Sequence, residues 1–150
     1  DYGDTNVTRL YKMQISNPSN IELYAYEEDP ADSFKYDNKT KQSKVKISEM
    51  SCLGDNTLLI DERVTHTTKL YKVDLSKGTP VPTDKVDTIE TDMSGVTPLK
   101  KTLLATQSSP KKIEGVANLD GTHFLLINDN DFGIENDPEV AKVVELNSSK

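Results

Sequence analysis

The sequence has almost no cysteine, no tryptophan and no long apolar segment. Because Cys52 is its single cysteine, the chain cannot form an intrachain disulfide, and its apolar surroundings favour a buried, unreactive thiol. No stretch approaches the ~18 apolar residues of a membrane-spanning helix, so we expect no membrane span. Hydrophobic residues make up only 34% of the 150 positions, which predicts a single domain with a small core.

The charge balance is acidic, with a formal net charge of -7 at pH 7. A nucleic-acid-binding protein needs a basic face that displaces counterions, so we expect no nucleic-acid partner. Lysine and arginine are scattered rather than arranged in a helical stripe, which is typical of a solvated surface. The acidic composition fits a protein with a cation site.

No helical period extends over three turns, whereas strand patterns recur along the whole chain. Turn-forming clusters such as LGDN, VTHT and LDGT separate these strand patterns. The predicted strands are 7–15, 21–26, 45–53, 57–62, 69–75, 101–105, 113–119, 123–127 and 141–146. The polar, proline-containing stretch 78–98 is predicted to be a loop or an insertion. The sequence therefore predicts an all-β fold.

Two segments of the chain align without a gap. KISEMSCLGDNTLLIDER begins at Lys46 and KIEGVANLDGTHFLLIND begins at Lys112. Each predicts a strand, a tight turn and a second strand, and a third strand follows each copy. Repeated antiparallel units of this kind are typical of β-propeller blades. We expect residues 1–150 to be one segment with about two to three four-stranded-type blades. Since propellers close with four to eight blades, a homo-oligomer or further blades would have to complete the ring.

Three motifs, in this order, carry a family resemblance: Glu62-Arg63 after an apolar run, KIEG at 112–115 and NDNDFG at 128–133. Together with the repeat, they make the region 45–133 similar to the C-terminal half of the phytase-like family. The resemblance implies an extracellular or periplasmic β-propeller with phytase or esterase-like activity. It implies a phosphorylated or esterified small molecule as substrate, and calcium as the metal.

The resemblance implies that Glu114 lies on an innermost strand and is a calcium ligand. The alternative is a channel carboxylate paired with a lysine or arginine. Asp129 and Asp131 would supply further oxygen ligands, or they would only cap the backbone of a turn. Arg63 would either bind a phosphate through its planar fork or form a structural salt bridge, for example with Glu114.

Other catalytic patterns are missing from the sequence. Neither His66 nor His123 has a second histidine or a cysteine at zinc spacing, and there is no Gly-x-Ser-x-Gly motif. Two hypotheses therefore stand. One is metal-assisted hydrolysis of a phosphoester or ester, with Glu114 and Arg63 as catalytic residues and Glu114, Asp129 and Asp131 as metal ligands. The other is a non-catalytic binding or scaffold module at the cell surface.

Overall fold

The computed structural model describes residues 5–38, 40–134 and 138–146. Within these ranges the chain forms nine β-strands, five short 3-10 turns and no α-helix. The strands are β1 (Val7–Gln14), β2 (Asn17–Glu27), β3 (Lys46–Gly54), β4 (Thr57–Arg63), β5 (Thr68–Asp74), β6 (Lys101–Gln107), β7 (Ile113–Asn118), β8 (His123–Asn128) and β9 (Ala141–Glu145). Each corresponds to a predicted strand, so the prediction of an all-β fold is confirmed. Nowhere in the described ranges is there a helix long and apolar enough to cross a membrane.

The strands form three antiparallel sheets, whose strand orders are β1-β2, β3-β4-β5-β6 and β7-β8-β9. We call them the first, middle and last sheet. Each copy of the sequence repeat is one hairpin followed by a third strand, β3-β4-β5 in the middle sheet and β7-β8-β9 in the last. The middle sheet has the four strands of a complete blade. The three sheets are thus blade-like units of a propeller that does not close within the described residues.

The two central strands of the middle sheet, β4 and β5, are buried on both faces, because alternate side chains point towards the first and the last sheet. Leu59 on β4 packs into a cluster with the last sheet, where Phe124 and Leu126 are buried. Its neighbour Ile60 packs in the other direction, against Leu10 and other residues of the first sheet. The two apolar clusters hold the three sheets face to face and fix how their ends are aligned.

The segment 78–98 contains no strand, but it packs against the first sheet. Ile89 is fully buried in a cluster with Leu23 and Ala25 of β2. The amide of Val81 donates to the carbonyl of Leu23 (2.8 Å), and the amide of Leu99 donates to that of Ala25 (2.8 Å). The segment therefore covers both the outer face and the free edge of β2, which protects an edge strand that would otherwise be open.

A network of buried charges joins the first and middle sheets. Glu62, fully buried on β4, accepts hydrogen bonds from Tyr26 Oη (2.5 Å), Lys101 Nζ (2.5 Å) and the amide of Asp29 (2.9 Å). Asp29 in turn pairs with Lys69 (2.5 Å) and Lys101 (2.7 Å). Burial raises the pKa of Asp29, but hydrogen bonds from Lys101, Lys69 and Tyr71 outweigh it and hold the pKa at about 2. Two carboxylates and two ammonium groups thus satisfy each other, which makes this network structural.

The expectation that Cys52 is buried was wrong. Its side chain is exposed, because Met50, Cys52 and Gly54 all lie on the solvent side of β3, while Leu53 faces the apolar cluster on the other side. The apolar composition around Cys52 indicated burial, but the alternation of the strand decides which face each residue takes.

Candidate functional site

Four connections meet at one end of the sheets. They are the described parts of four segments, 28–38 with 40–45, 64–67, 108–112, and 129–134 with 138–140, which follow β2, β4, β6 and β8. Because neighbouring strands are antiparallel, every second connection leaves its sheet at the same end. The short hairpins after β3 and β7 lie at the opposite end. We call the end formed by the four connections the loop end.

Hydrogen bonds tie these connections to one another. Asp37 Oδ1 accepts from the amides of Thr65 (3.2 Å) and His66 (2.9 Å). The amide of Lys112 donates to the carbonyl of Thr65 (2.8 Å), and the amide of Asp129 donates to the carbonyl of Lys112 (2.9 Å). The loop end is therefore a connected surface in which the middle and last sheets are joined through their backbones.

A cleft of about 750 Å³ opens at the loop end. Its charged and titratable lining residues are Tyr36, Asp37, Lys44, Lys46, Arg63, His66, Lys112, Glu114, Asp129 and Asp131. All four residues predicted from the sequence to form a site are in this set. The structure thus brings together two segments that lie about fifty residues apart in the chain, and it mixes cations with carboxylates.

Glu114 enters the cleft because it is the extra residue of a β-bulge. The pairing of β7 with β8 shifts by one residue between Ile113 and Gly115. The pairing of β3 with β4 shifts at the equivalent point of the repeat, which makes Ser48 the counterpart of Glu114. A bulge redirects a side chain and often lies next to a functional site. The two repeats therefore present their bulged residues at the same position of adjacent sheets.

Arg63 connects the two bulges. Its Nε donates to Ser48 Oγ (2.7 Å), its Nη1 to the carbonyl of Val64 (3.1 Å), and its Nη2 pairs with Glu114 Oε1. The Arg63 side chain is buried, whereas 40% of the Glu114 side chain is exposed. Burial lowers the pKa of Arg63, and nearby carboxylates, first among them Asp61, oppose this effect. These are the contacts expected if Arg63 forms a structural salt bridge, and they hold the carboxylate of Glu114 in place.

The NDND motif begins at Asn128, the last residue of β8, and its side chains accept hydrogen bonds from the backbone of the turn that follows. Asn128 accepts from the amide of Val140 (2.6 Å) through Oδ1, and Asp129 Oδ1 accepts from the amide of Asp131 (2.8 Å). Asp131 forms an ion pair with Lys112, which lowers the pKa of the Asp131 carboxyl. The capping contacts predicted as one alternative are thus present, and both aspartates also line the cleft.

The carboxylates of the cleft do not fit a calcium site by themselves. Among the residues that the structure describes, no three His, Cys, Asp or Glu side chains lie close enough together to hold a metal ion. Calcium requires six to eight oxygen ligands, but Glu114 and Asp131 are each paired with a cationic side chain. Calcium binding by Glu114, Asp129 and Asp131 stays a prediction that requires additional ligands and different pairing.

The sequence reasoning did not assign Tyr36, Asp37, Lys44, Lys46 or Lys112 to the site, and it considered His66 only as a zinc ligand, a role that it rejected. Asp37 lies in the connection between the first and middle sheets, outside the repeat that directed attention to 112–131. One signal could have identified His66, since it lies in the VTHT turn directly after Arg63 and Val64. That position places it at the same sheet end as the predicted site.

Fold and cleft together define a class of protein: an all-β chain of blade-like sheets with a polar, mixed-charge cleft at their loop end. A family model described as "Phytase-like: Esterase-like activity of phytase" matches residues 1–132, and the chain belongs to this family. The match confirms the resemblance seen in the motifs and extends it to the hairpin β1-β2. Searches of curated proteins and of solved structures find no significant match.

Proposed function

We propose that the chain supplies the substrate cleft of a phytase-like hydrolase, which cleaves a phosphoester or another ester of a small molecule. The observation that carries this proposal is the position of Glu114, which a buried arginine holds at the edge of a polar cleft. Membership of the family supports it. A carboxylate in a fixed position is the group that ester hydrolysis needs for activating water.

The proposed chemistry uses the residues of the cleft in separate roles. Arg63 binds Glu114 through Oε1, so the second carboxylate oxygen of Glu114 is the one that accepts a proton from the attacking water. Lys44 and Lys46 line the same cleft, where their ammonium groups offset the charge of a bound phosphate. Calcium, which the resemblance implies, would add positive charge here if further ligands complete its site.

A second candidate function is a binding or scaffold module at the cell surface. The observation that favours it is the internal pairing of the cleft charges, Arg63 with Glu114 and Lys112 with Asp131. A surface whose charges are paired in this way can recognise a ligand without catalysing a reaction. Both candidates share the proposed extracellular or periplasmic location.

One set of measurements separates the two candidates. The purified chain is assayed with p-nitrophenyl phosphate and p-nitrophenyl acetate, each with added calcium and with EDTA, and isothermal titration measures the binding of inorganic phosphate. Hydrolysis of either ester above the buffer rate supports the hydrolase. Phosphate binding without turnover supports the binding module. If neither ester is cleaved and phosphate does not bind, the cleft is not the site of the family's activity.

We also propose that a second copy of the chain supplies blades that are missing from the ring. Within the described residues, β1 and β9 each pair on one side only, and open strand edges favour further pairing. Sedimentation analysis at several concentrations tests this: a dimer supports the proposal, and a monomer at all concentrations contradicts it.

A further inference from the structure

The turn that joins β4 to β5, residues 64–67, is anchored at nearly every backbone position. The amide of Val64 donates to the carbonyl of Thr67 (3.0 Å), which closes the turn. Asp37 Oδ1 accepts from the amides of Thr65 and His66, and Thr67 Oγ1 accepts from the amide of Tyr36 (3.0 Å). The carbonyl of Thr65 also accepts from the amide of Lys112 (2.8 Å), so contacts from two other connections fix the backbone of this four-residue turn.

This rigid turn presents one exposed side chain. Val64 and Thr67 are buried and Thr65 is half-buried, whereas the imidazole of His66 is exposed and lines the cleft. A turn that only connected two strands would not require the carboxylate of Asp37, about thirty residues away in the sequence, to accept from its amides. The arrangement has the form of a preorganised catalytic group, in which supporting contacts fix the backbone behind a reactive side chain.

The other charged groups of the cleft are less suited to proton donation. Glu114 and Asp131 each form an ion pair with a cationic side chain, so their oxygens already serve as acceptors. Arginine, lysine and tyrosine side chains hold their protons more tightly than imidazole does near neutral pH, and imidazole is the usual side chain for this step. Asp37 Oδ1 accepts from the backbone of this turn, and Asp129 Oδ1 accepts from the amide of Asp131, so both carboxylates already serve as acceptors.

We propose that His66 is the general acid of the cleft. This inference rests on the proposed hydrolase function and adds the residue that protonates the leaving group. In a phosphomonoester, water attacks phosphorus while Glu114 accepts one of its protons, and a new P–O bond forms. The bond from phosphorus to the leaving oxygen breaks, and the imidazolium of His66 gives that oxygen its proton. The products are an alcohol and inorganic phosphate, and proton exchange with bulk water restores Glu114 and His66.

Leaving-group dependence tests this role, because a good leaving group needs no general acid. The variants His66→Gln and His123→Gln are compared with the parent chain on phenyl phosphate and p-nitrophenyl phosphate. His123 is the matched control, since it lies at the opposite end of the last sheet, where its Nδ1 contacts Asp120 Oδ2 (2.7 Å). We expect His66→Gln to lower kcat on phenyl phosphate by about 10²-fold or more, and on p-nitrophenyl phosphate by less than about 10-fold. His123→Gln should change neither.

A spectroscopic measurement keeps the inference testable if turnover is slow. The chain has two histidines, so its NMR spectrum contains two imidazole Cε1–H signals, and the same variants assign them. Titration with inorganic phosphate should shift the His66 signal and leave the His123 signal in place. Thermal melting of His66→Gln, compared with the parent, establishes that the variant is folded.

The outcomes separate the two proposals. If the parent cleaves both esters and His66→Gln cleaves them equally well, the role of His66 is overturned and the hydrolase function stands. If the parent cleaves no ester but phosphate shifts His66 alone, the hydrolase function fails, and with it the acid role, while the contact of His66 with anions in the cleft is supported. Equal falls in kcat on both phosphates would show that His66 does not protonate the leaving group. If phosphate leaves both signals in place, the contact is overturned.

Discussion

Asp61 on β4 is a buried carboxylic acid whose two oxygens have no hydrogen-bond partner. Only 1% of the residue is exposed, and it lies on the same side of β4 as Leu59 and Arg63. Burial raises the pKa of Asp61 to about 8, although the charge of Arg63 acts in the opposite direction. The folded chain therefore holds a proton on Asp61 at neutral pH, where the unfolded chain has released it. The contribution of protonated Asp61 to the free energy of unfolding is therefore fully present below about pH 4, and it is lost as the pH rises towards 8.

Replacing Asp61 with asparagine should remove this dependence. The amide stays neutral at every pH, so Asp61→Asn should match the parent near pH 4 and be more stable by about 4 kcal/mol at pH 7, from ~1.4 kcal/mol per pKa unit. Urea unfolding at pH 4, 5.5 and 7 measures the difference. Asp55→Asn in the exposed hairpin after β3 is the matched control and should show no such trend. A difference that is the same at pH 4 and pH 7 would refute the reasoning, because Asp61 would then be ionised in the folded chain.

Three further predictions concern packing and positioning. Arg63→Met should destabilise the fold by about 2 kcal/mol in urea unfolding, because it removes a buried bridge between Ser48 and Glu114; unchanged stability would show that the bridge is not formed in solution. Glu62→Leu should cost about 3 kcal/mol or more, because three donors lose their acceptor, and a stability equal to that of the parent would contradict the structural role of the network. Ile89→Ala should lower the free energy of unfolding by about 2–4 kcal/mol. Ile15 is 92% exposed, so the control Ile15→Ala should leave the free energy of unfolding unchanged. Equal effects of the two substitutions would mean that the segment 78–98 does not cover the first sheet.

The strands could be predicted because their signals are local. Alternation of apolar residues, together with turns such as LGDN and LDGT, locates β3, β4, β7 and β8 to within a residue or two at each end. The internal repeat also predicted that β3 pairs with β4 and that β7 pairs with β8. Even Cys52 would have been placed correctly if alternation had been weighed above the apolar composition of its neighbours.

Glu114 and Arg63 could be named as site residues because the motifs that contain them carry the family resemblance. Nothing local to β4 or β7 shows that Arg63 contacts both Ser48 and Glu114. That contact depends on how two sheets pack. Asp37 was missed for the same reason, since its role arises from a turn about thirty residues away along the chain.

The central claim is that the loop-end cleft, with Glu114 held by Arg63, carries out ester hydrolysis. The most direct test is kcat/KM on phenyl phosphate for Glu114→Gln, with Glu145→Gln, an exposed position on β9, as the control. The account predicts a loss of about 10²-fold or more for Glu114→Gln, measured well below the melting temperature of each variant so that only folded protein is compared, and no loss for the control. Equal kcat/KM for both variants and the parent would contradict it.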